Sequence, residues 1–141
     1  MAVPEQGVVK VEADDPELAW YRRHDQQLLL ADALDQDAGG AMTVGFARYG
    51  AGESNPWTMA YDEVLVITDG RFTVESAEGS VTAGPGEAIY LRTGTELVYR
   101  AVEPTQLVYV THPHWMPATE ASPHAERLDE FQPMAPGSSA A

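Results

Sequence analysis

Cysteine is absent from the 141-residue sequence. Disulfide frameworks, thiolate metal sites and cysteine nucleophiles are therefore excluded. Basic residues are few, 8 against 22 acidic, giving a formal charge of −14. That balance repels phosphate backbones and anionic lipid headgroups, so nucleic acid and membrane surfaces are not expected partners. No run approaches the roughly 20 apolar residues that a spanning helix needs, and residues 1–10 lack a basic region followed by an apolar stretch. A cytoplasmic protein is the expectation. A Walker-type phosphate loop is also missing, because Gly84-Pro85-Gly86 falls in a turn between strand patterns rather than ahead of a helix. No fixed-period repeat points to a solenoid or propeller.

What is present is enough chain for one domain with a core of its own. Its middle reads as short strands separated by Gly, Pro and acidic turn signals, the spacing of an all-β sandwich or barrel. The pattern predicts strands over residues 27–33, 42–49, 57–68, 71–77, 79–83, 87–92, 96–101 and 105–111. Asp69-Gly70 and Glu78-Gly79 read as hairpin turns, since glycine tolerates the positive φ that tight hairpins demand. Residues 14–23 read as a short helix or turn, with Asp14 or Asp15 as its cap and Pro16 at the first helical position. The domain plan is an N-terminal arm over 1–25, a barrel over 26–116 and a Pro/Ala/Ser-rich tail over 117–141, partly disordered and flexible. Leu128 and Phe131 could still dock a piece of that tail on the barrel or on a second subunit.

Two stretches carry a resemblance. Gly52-Glu53-Ser54-Asn55-Pro56-Trp57-Thr58-Met59-Ala60-Tyr61-Asp62-Glu63, followed by six residues and then Gly70, is similar to the first cupin motif, with its Glu and final Gly in place. The stretch from Ala83 through Gly84-Pro85-Gly86-Glu87 to Arg92 and Leu97 is similar to the second, with Arg92 where the motif has Pro and Leu97 where it has His. Trp57-Thr58, Tyr61-Asp62-Glu63, Thr82-Ala83-Gly84-Pro85-Gly86 and Tyr109-Val110-Thr111 ahead of Trp115 resemble the barrel of EutQ-type ethanolamine-utilisation proteins, over roughly residues 26 to 116. The resemblance implies a single-domain cupin, a double-stranded β-helix or jelly-roll barrel. It also associates the chain with acetate kinase activity and bacterial microcompartments, although only about 25 residues stand where EutQ-type proteins carry an N-terminal extension.

In metal cupins, two His and a Glu of the first motif and a His of the second supply the N and O ligands of a transition metal. Those positions align here with Trp57, Met59, Glu63 and Leu97, and one carboxylate cannot hold such an ion tightly. No metal and no cofactor are expected. The alternative metal set is Glu63 with His112 and His114, if the chain around Pro113 bends inward; otherwise the two His lie on a surface turn.

Alternation places Trp57, Met59, Tyr61, Glu63 and Leu65 on one inward face if no bulge intervenes. A carboxyl in such an aromatic, partly dry cavity resists ionisation and suits general acid or base chemistry; the alternative is a structural carboxylate held by Tyr or backbone groups. Glu63, Tyr61 and Tyr99 are the candidate catalytic residues, and Trp57, Met59, Tyr90, Leu97 and Tyr109 the candidate substrate-binding ones. Asp62 should point to the opposite face, as a fold or contact residue. An arginine at the barrel mouth, among Arg48, Arg71, Arg92 and Arg100, would favour a carboxylate-bearing ligand, whereas surface ion pairs are the commoner use.

These residues predict a metal-independent enzyme acting on a small organic molecule by acid/base chemistry, of isomerase, cyclase, dehydratase or lyase type. The alternatives are a non-catalytic small-molecule-binding or accessory cupin, and a divalent-metal cupin. Pairing that hides exposed strand edges makes a homodimer the expected assembly.

Overall fold

The computed structural model describes residues 7–134. Its strands in chain order are β1 (Tyr21–Arg23), β2 (Leu28–Leu34), β3 (Thr43–Tyr49), β4 (Ser54–Thr58), β5 (Asp62–Asp69), β6 (Phe72–Ser76), β7 (Gly79–Ala83), β8 (Ala88–Leu91), β9 (Glu96–Ala101), β10 (Thr105–His112) and β11 (Phe131–Pro133). A single α-helix among the described residues, α1 (Trp115–Glu120), and a 3-10 segment (Ala125–Glu130) lie between β10 and β11. One seven-stranded sheet runs β11-β1-β2-β3-β10-β5-β8, and a four-stranded sheet runs β4-β9-β6-β7, every pairing antiparallel.

Period-two patterning explains which residues meet between the sheets. In β10, Thr105, Leu107, Tyr109 and Thr111 are buried while their neighbours are not. In β8, Ile89 and Leu91 point in and Ala88 and Tyr90 point out. The inward set joins Leu28, Tyr49, Ile67, Phe72 and Val74 in one core. Gly70 follows β5 at φ 89°, and a Cβ there would sit 2.2 Å from the Pro104 carbonyl oxygen, so the β5–β6 turn requires glycine.

Two local expectations are corrected, and of the short helix or turn expected over residues 14–23 it is the turn that forms. The strand predicted over 57–68 is two strands in different sheets, because the chain bends at Met59–Tyr61, where the Met59 backbone bonds to Thr95 and Gly94 instead of a ladder partner. Residues 14–23 form turns and β1 rather than a helix. The Asp15 carboxylate does accept the Glu17 N–H at 2.9 Å, as a cap would, but no helix propagates from it. The segment after 116 is folded as far as Met134: α1 and the 3-10 segment lead into β11, which pairs with β1 and thereby extends the sheet beyond 26–116 at both ends. Leu128 and Phe131 pack on the core of the same chain. The remainder of the expected flexible tail, 135–141, lies outside the described residues.

Candidate functional site

Strand alternation survives the bend between β4 and β5. Trp57, Met59, Tyr61, Glu63 and Leu65 are all buried and face the space between the sheets. Around them the core opens into a cavity of about 40 Å³ lined by Tyr49, Asn55, Trp57, Tyr61, Glu63, Tyr99 and Tyr109 among others. Glu63, only 7 % exposed, accepts the Tyr99 hydroxyl on Oε1 at 2.6 Å. Burial pushes the Glu63 carboxyl up to about 7; the Tyr99 bond opposes that shift and the nearby Asp32 charge adds to it. Tyr99 itself is held well above the usual phenol range by burial and by Glu63, so it stays a donor. Tyr61 accepts the Trp57 indole N–H at 2.9 Å, and burial keeps its own proton in place as well. The buried Asn55 Oδ1 has no hydrogen-bond partner among the described residues and lines this same cavity. An unpaired buried acceptor is costly unless a donor reaches it.

A second carboxylate lies next to this cavity, and the sequence reading did not single it out. On β2, Leu28, Leu30 and Asp32 share one face, ahead of a bulge that turns Leu34 to the other, so an acid continuing an apolar stripe was the available signal. Asp32 pairs laterally with Gly45, which pairs in turn with Tyr109. Because Gly45 has no side chain, the Tyr109 ring crosses over it: a Cβ there would lie 2.2 Å from the ring. The Tyr109 hydroxyl thus reaches Asp32 Oδ1 at 2.6 Å, and the Trp115 indole N–H of α1 reaches the same oxygen at 2.9 Å. Burial raises the Asp32 carboxyl above its usual range, opposed by these two donors.

The C-terminal segment closes the mouth. Trp57, Trp115 and Phe131 meet edge to face with centroids 6.0 to 6.3 Å apart. Arg23 pairs with Glu130 at 3.0 Å, the His24 N–H bonds to the Glu130 carbonyl, and the Arg127 guanidinium donates to the Pro56 carbonyl. Outside the aromatic plug, Tyr21, Asp32, Met116 and Leu128 form a pocket of about 200 Å³ that shares Leu30, Trp115 and Phe131 with the inner cavity.

The other sequence candidates fall elsewhere. Tyr90 is corrected: it is 55 % exposed on the outer face of β8 and donates to Asp62 Oδ2 at 2.6 Å, far from a substrate role in the barrel. That bond and two from Thr93 hold the Asp62 carboxyl down at about 2, so Asp62 ties the outer face together as its outward direction predicted. Met59 and Leu97 are buried core residues; the Met59 sulfur lies 3.3 Å from the Tyr99 hydroxyl, and Leu97 borders an outer groove instead. The alternative metal set does not assemble. His112 pairs with Asp62 on the outward side of β10, while both ring nitrogens of His114 are taken by Thr43 and the Gly40 carbonyl. At the positions of the cupin ligands stand an indole already donating to Tyr61, a thioether, one carboxylate and an alkyl group, a set that does not fit a divalent ion. None of the four arginines considered reaches the cavity: Arg48 stacks on Trp20, Arg92 covers Tyr90, Arg100 pairs with Glu75 and Arg71 is exposed.

This two-sheet barrel is shared with solved structures. A cupin-superfamily protein from Desulfitobacterium hafniense superposes with TM-score 0.56 at 13 % identity, over 65 % of this chain and 82 % of its own. An ethanolamine utilization protein Q from Salmonella typhimurium LT2 superposes with TM-score 0.61 at 22 % identity, over 67 % of this chain and 79 % of its own. In sequence, the acetate kinase EutQ of Escherichia coli K12 is 25 % identical over 84 residues, which is 60 % of this chain but 36 % of that protein's length. The chain thus spans little more than a third of the curated relative it matches. The family model for ethanolamine utilisation protein EutQ matches residues 8–117, from ahead of β1 through the first residues of α1, and the chain belongs to this EutQ family of cupin proteins.

Proposed function

We propose that this chain is a metal-independent enzyme that performs acid/base chemistry on a small organic molecule, of isomerase, cyclase, dehydratase or lyase type, inside the barrel. The observation that carries the reading is Glu63: a buried carboxyl shifted to about 7, fixed by Tyr99, facing a cavity with the unpartnered Asn55 acceptor. A group with its midpoint near the working pH both takes and returns a proton, and such positioned groups contribute roughly 10² to 10⁴ in rate. Tyr99 orients the carboxylate, and Tyr61 offers a phenolic proton to a substrate oxygen.

Acetate kinase activity, named for the curated relatives, is a weaker reading for this interior. Acetate and nucleotide phosphates are anions, whereas the inner cavity and the outer pocket are lined by Glu63 and Asp32 and by no basic side chain. The test is a panel of small carbonyl and hydroxy compounds followed by proton NMR in D₂O, for solvent exchange at carbon or for turnover. Glu63→Gln is expected to slow the reaction found by about a hundredfold or more, with binding largely retained. Turnover unchanged in Glu63→Gln would overturn the assignment. A ligand that binds and is never altered would instead favour an accessory binding role.

A further inference from the structure

The outer pocket presents a carboxylate without a counter-ion. Asp32 Oδ1 is fully occupied by Tyr109 and Trp115, whereas Oδ2 has only a longer 3.2 Å contact with that same indole nitrogen. The ion pairs among the described residues, Lys10–Glu12, Arg23–Glu130 and Arg100–Glu75, leave Asp32 out. Of the charged groups felt by Asp32, Asp35 repels it, Glu63 lies on the inner side, and His114 is engaged by Thr43 and Gly40. The carboxylate is thus held rigidly, partly desolvated, with the lone pairs of one oxygen left for a donor.

The pocket that Asp32 lines has aromatic and aliphatic walls, Tyr21, Trp115 and Phe131 together with Met116, Leu128 and Leu30. We propose that this pocket binds a small organic ammonium ion, with Asp32 Oδ2 accepting its N–H and the aromatic walls taking its charge. Aromatic rings beside a carboxylate are the surroundings in which an organic cation is held in preference to a neutral or anionic isostere. The aliphatic side accommodates a short alkyl chain, and about 200 Å³ is below the roughly 300 Å³ at which drug-sized sites begin. A net charge of −14 adds long-range attraction for cations. This binding does not depend on Glu63 and so stands apart from the proposed proton-transfer reaction.

The probes are n-propylammonium, its neutral counterpart propan-1-ol, and propionate, titrated into the full chain while the Trp115 indole N–H resonance is followed by NMR. Saturable binding of propylammonium is expected, with the Trp115 indole among the most shifted signals, and about tenfold or weaker binding of both isosteres. Asp32→Asn, which can still accept from Tyr109 and Trp115, should abolish the preference for the cation, and Glu63→Gln should keep it. The proposal is overturned if propylammonium fails to bind saturably, if propanol or propionate binds as well, or if the shifts fall on the acidic surface rather than at Trp115. Localisation in the unaltered protein decides the matter even if Asp32→Asn folds poorly.

Discussion

A glutamate placed among Trp57, Tyr61 and Tyr99 makes folding depend on pH in a definite direction. The Glu63 carboxyl lies near 4.5 in an unstructured chain and about 7 in the folded one. A raised acid gives its full contribution to stability below the unfolded value and loses it as pH climbs through the folded value. Between pH 5 and pH 8 this single group should therefore cost the folded state roughly 2 to 3 kcal/mol. Urea unfolding of the unaltered protein and of Glu63→Gln at both pH values isolates the effect: the pH 5 to pH 8 loss should be smaller in the Gln variant by that amount, and equal losses would contradict it. Glu63 was legible in the sequence because it sits in an alternating aromatic run ahead of Gly70. Asp32 was not, because its partners Tyr109 and Trp115 are brought to it only by the β2-β3-β10 register across Gly45 and by α1, none of which spacing reveals. Tyr90 misled for the converse reason: one residue of register in β8 decides between the interior and solvent.

Among the elements, the unit formed by α1, the 3-10 segment and β11 governs access to the site. Its anchors are Phe131 against Trp57 and Trp115, the Arg23–Glu130 pair and the β1–β11 ladder. Phe131→Ala should loosen this unit by about 2 kcal/mol, below the full value of a buried Phe because Phe131 is only half-buried. Acrylamide quenching of Trp57 and Trp115 should rise, and the amides of β1 and β11 should exchange faster while those of β5 and β10 keep their protection. Unchanged quenching and exchange would mean the segment does not close the mouth. The sequence suggested that Leu128 and Phe131 dock, yet β1 and β11 escaped notice, since three residues are too few to display a period of two. The break between β4 and β5 was hidden for a related reason: the inward pattern continues through Met59–Tyr61 although the chain changes sheets there.

For the whole molecule, the double-sheet barrel was readable from turn chemistry and alternation together with the motif resemblance, because those features determine which faces must be buried. What the barrel does was not readable in the same way, since one fold hosts many chemistries and the site alone decides. Here the site has lost the imidazoles of a metal cupin and keeps an acid among phenols in an acidic chain that no described helix takes across a membrane. The chemistry proposed for the interior depends on Glu63 being a buried carboxyl poised near neutrality. It is tested most directly by carboxyl carbon NMR of labelled protein titrated from pH 4 to pH 9. A Glu63 midpoint near 7 is expected, moving higher in Tyr99→Phe because the bond that favours the charged form is gone. A midpoint in the ordinary glutamate range of about 4 to 5 would contradict it.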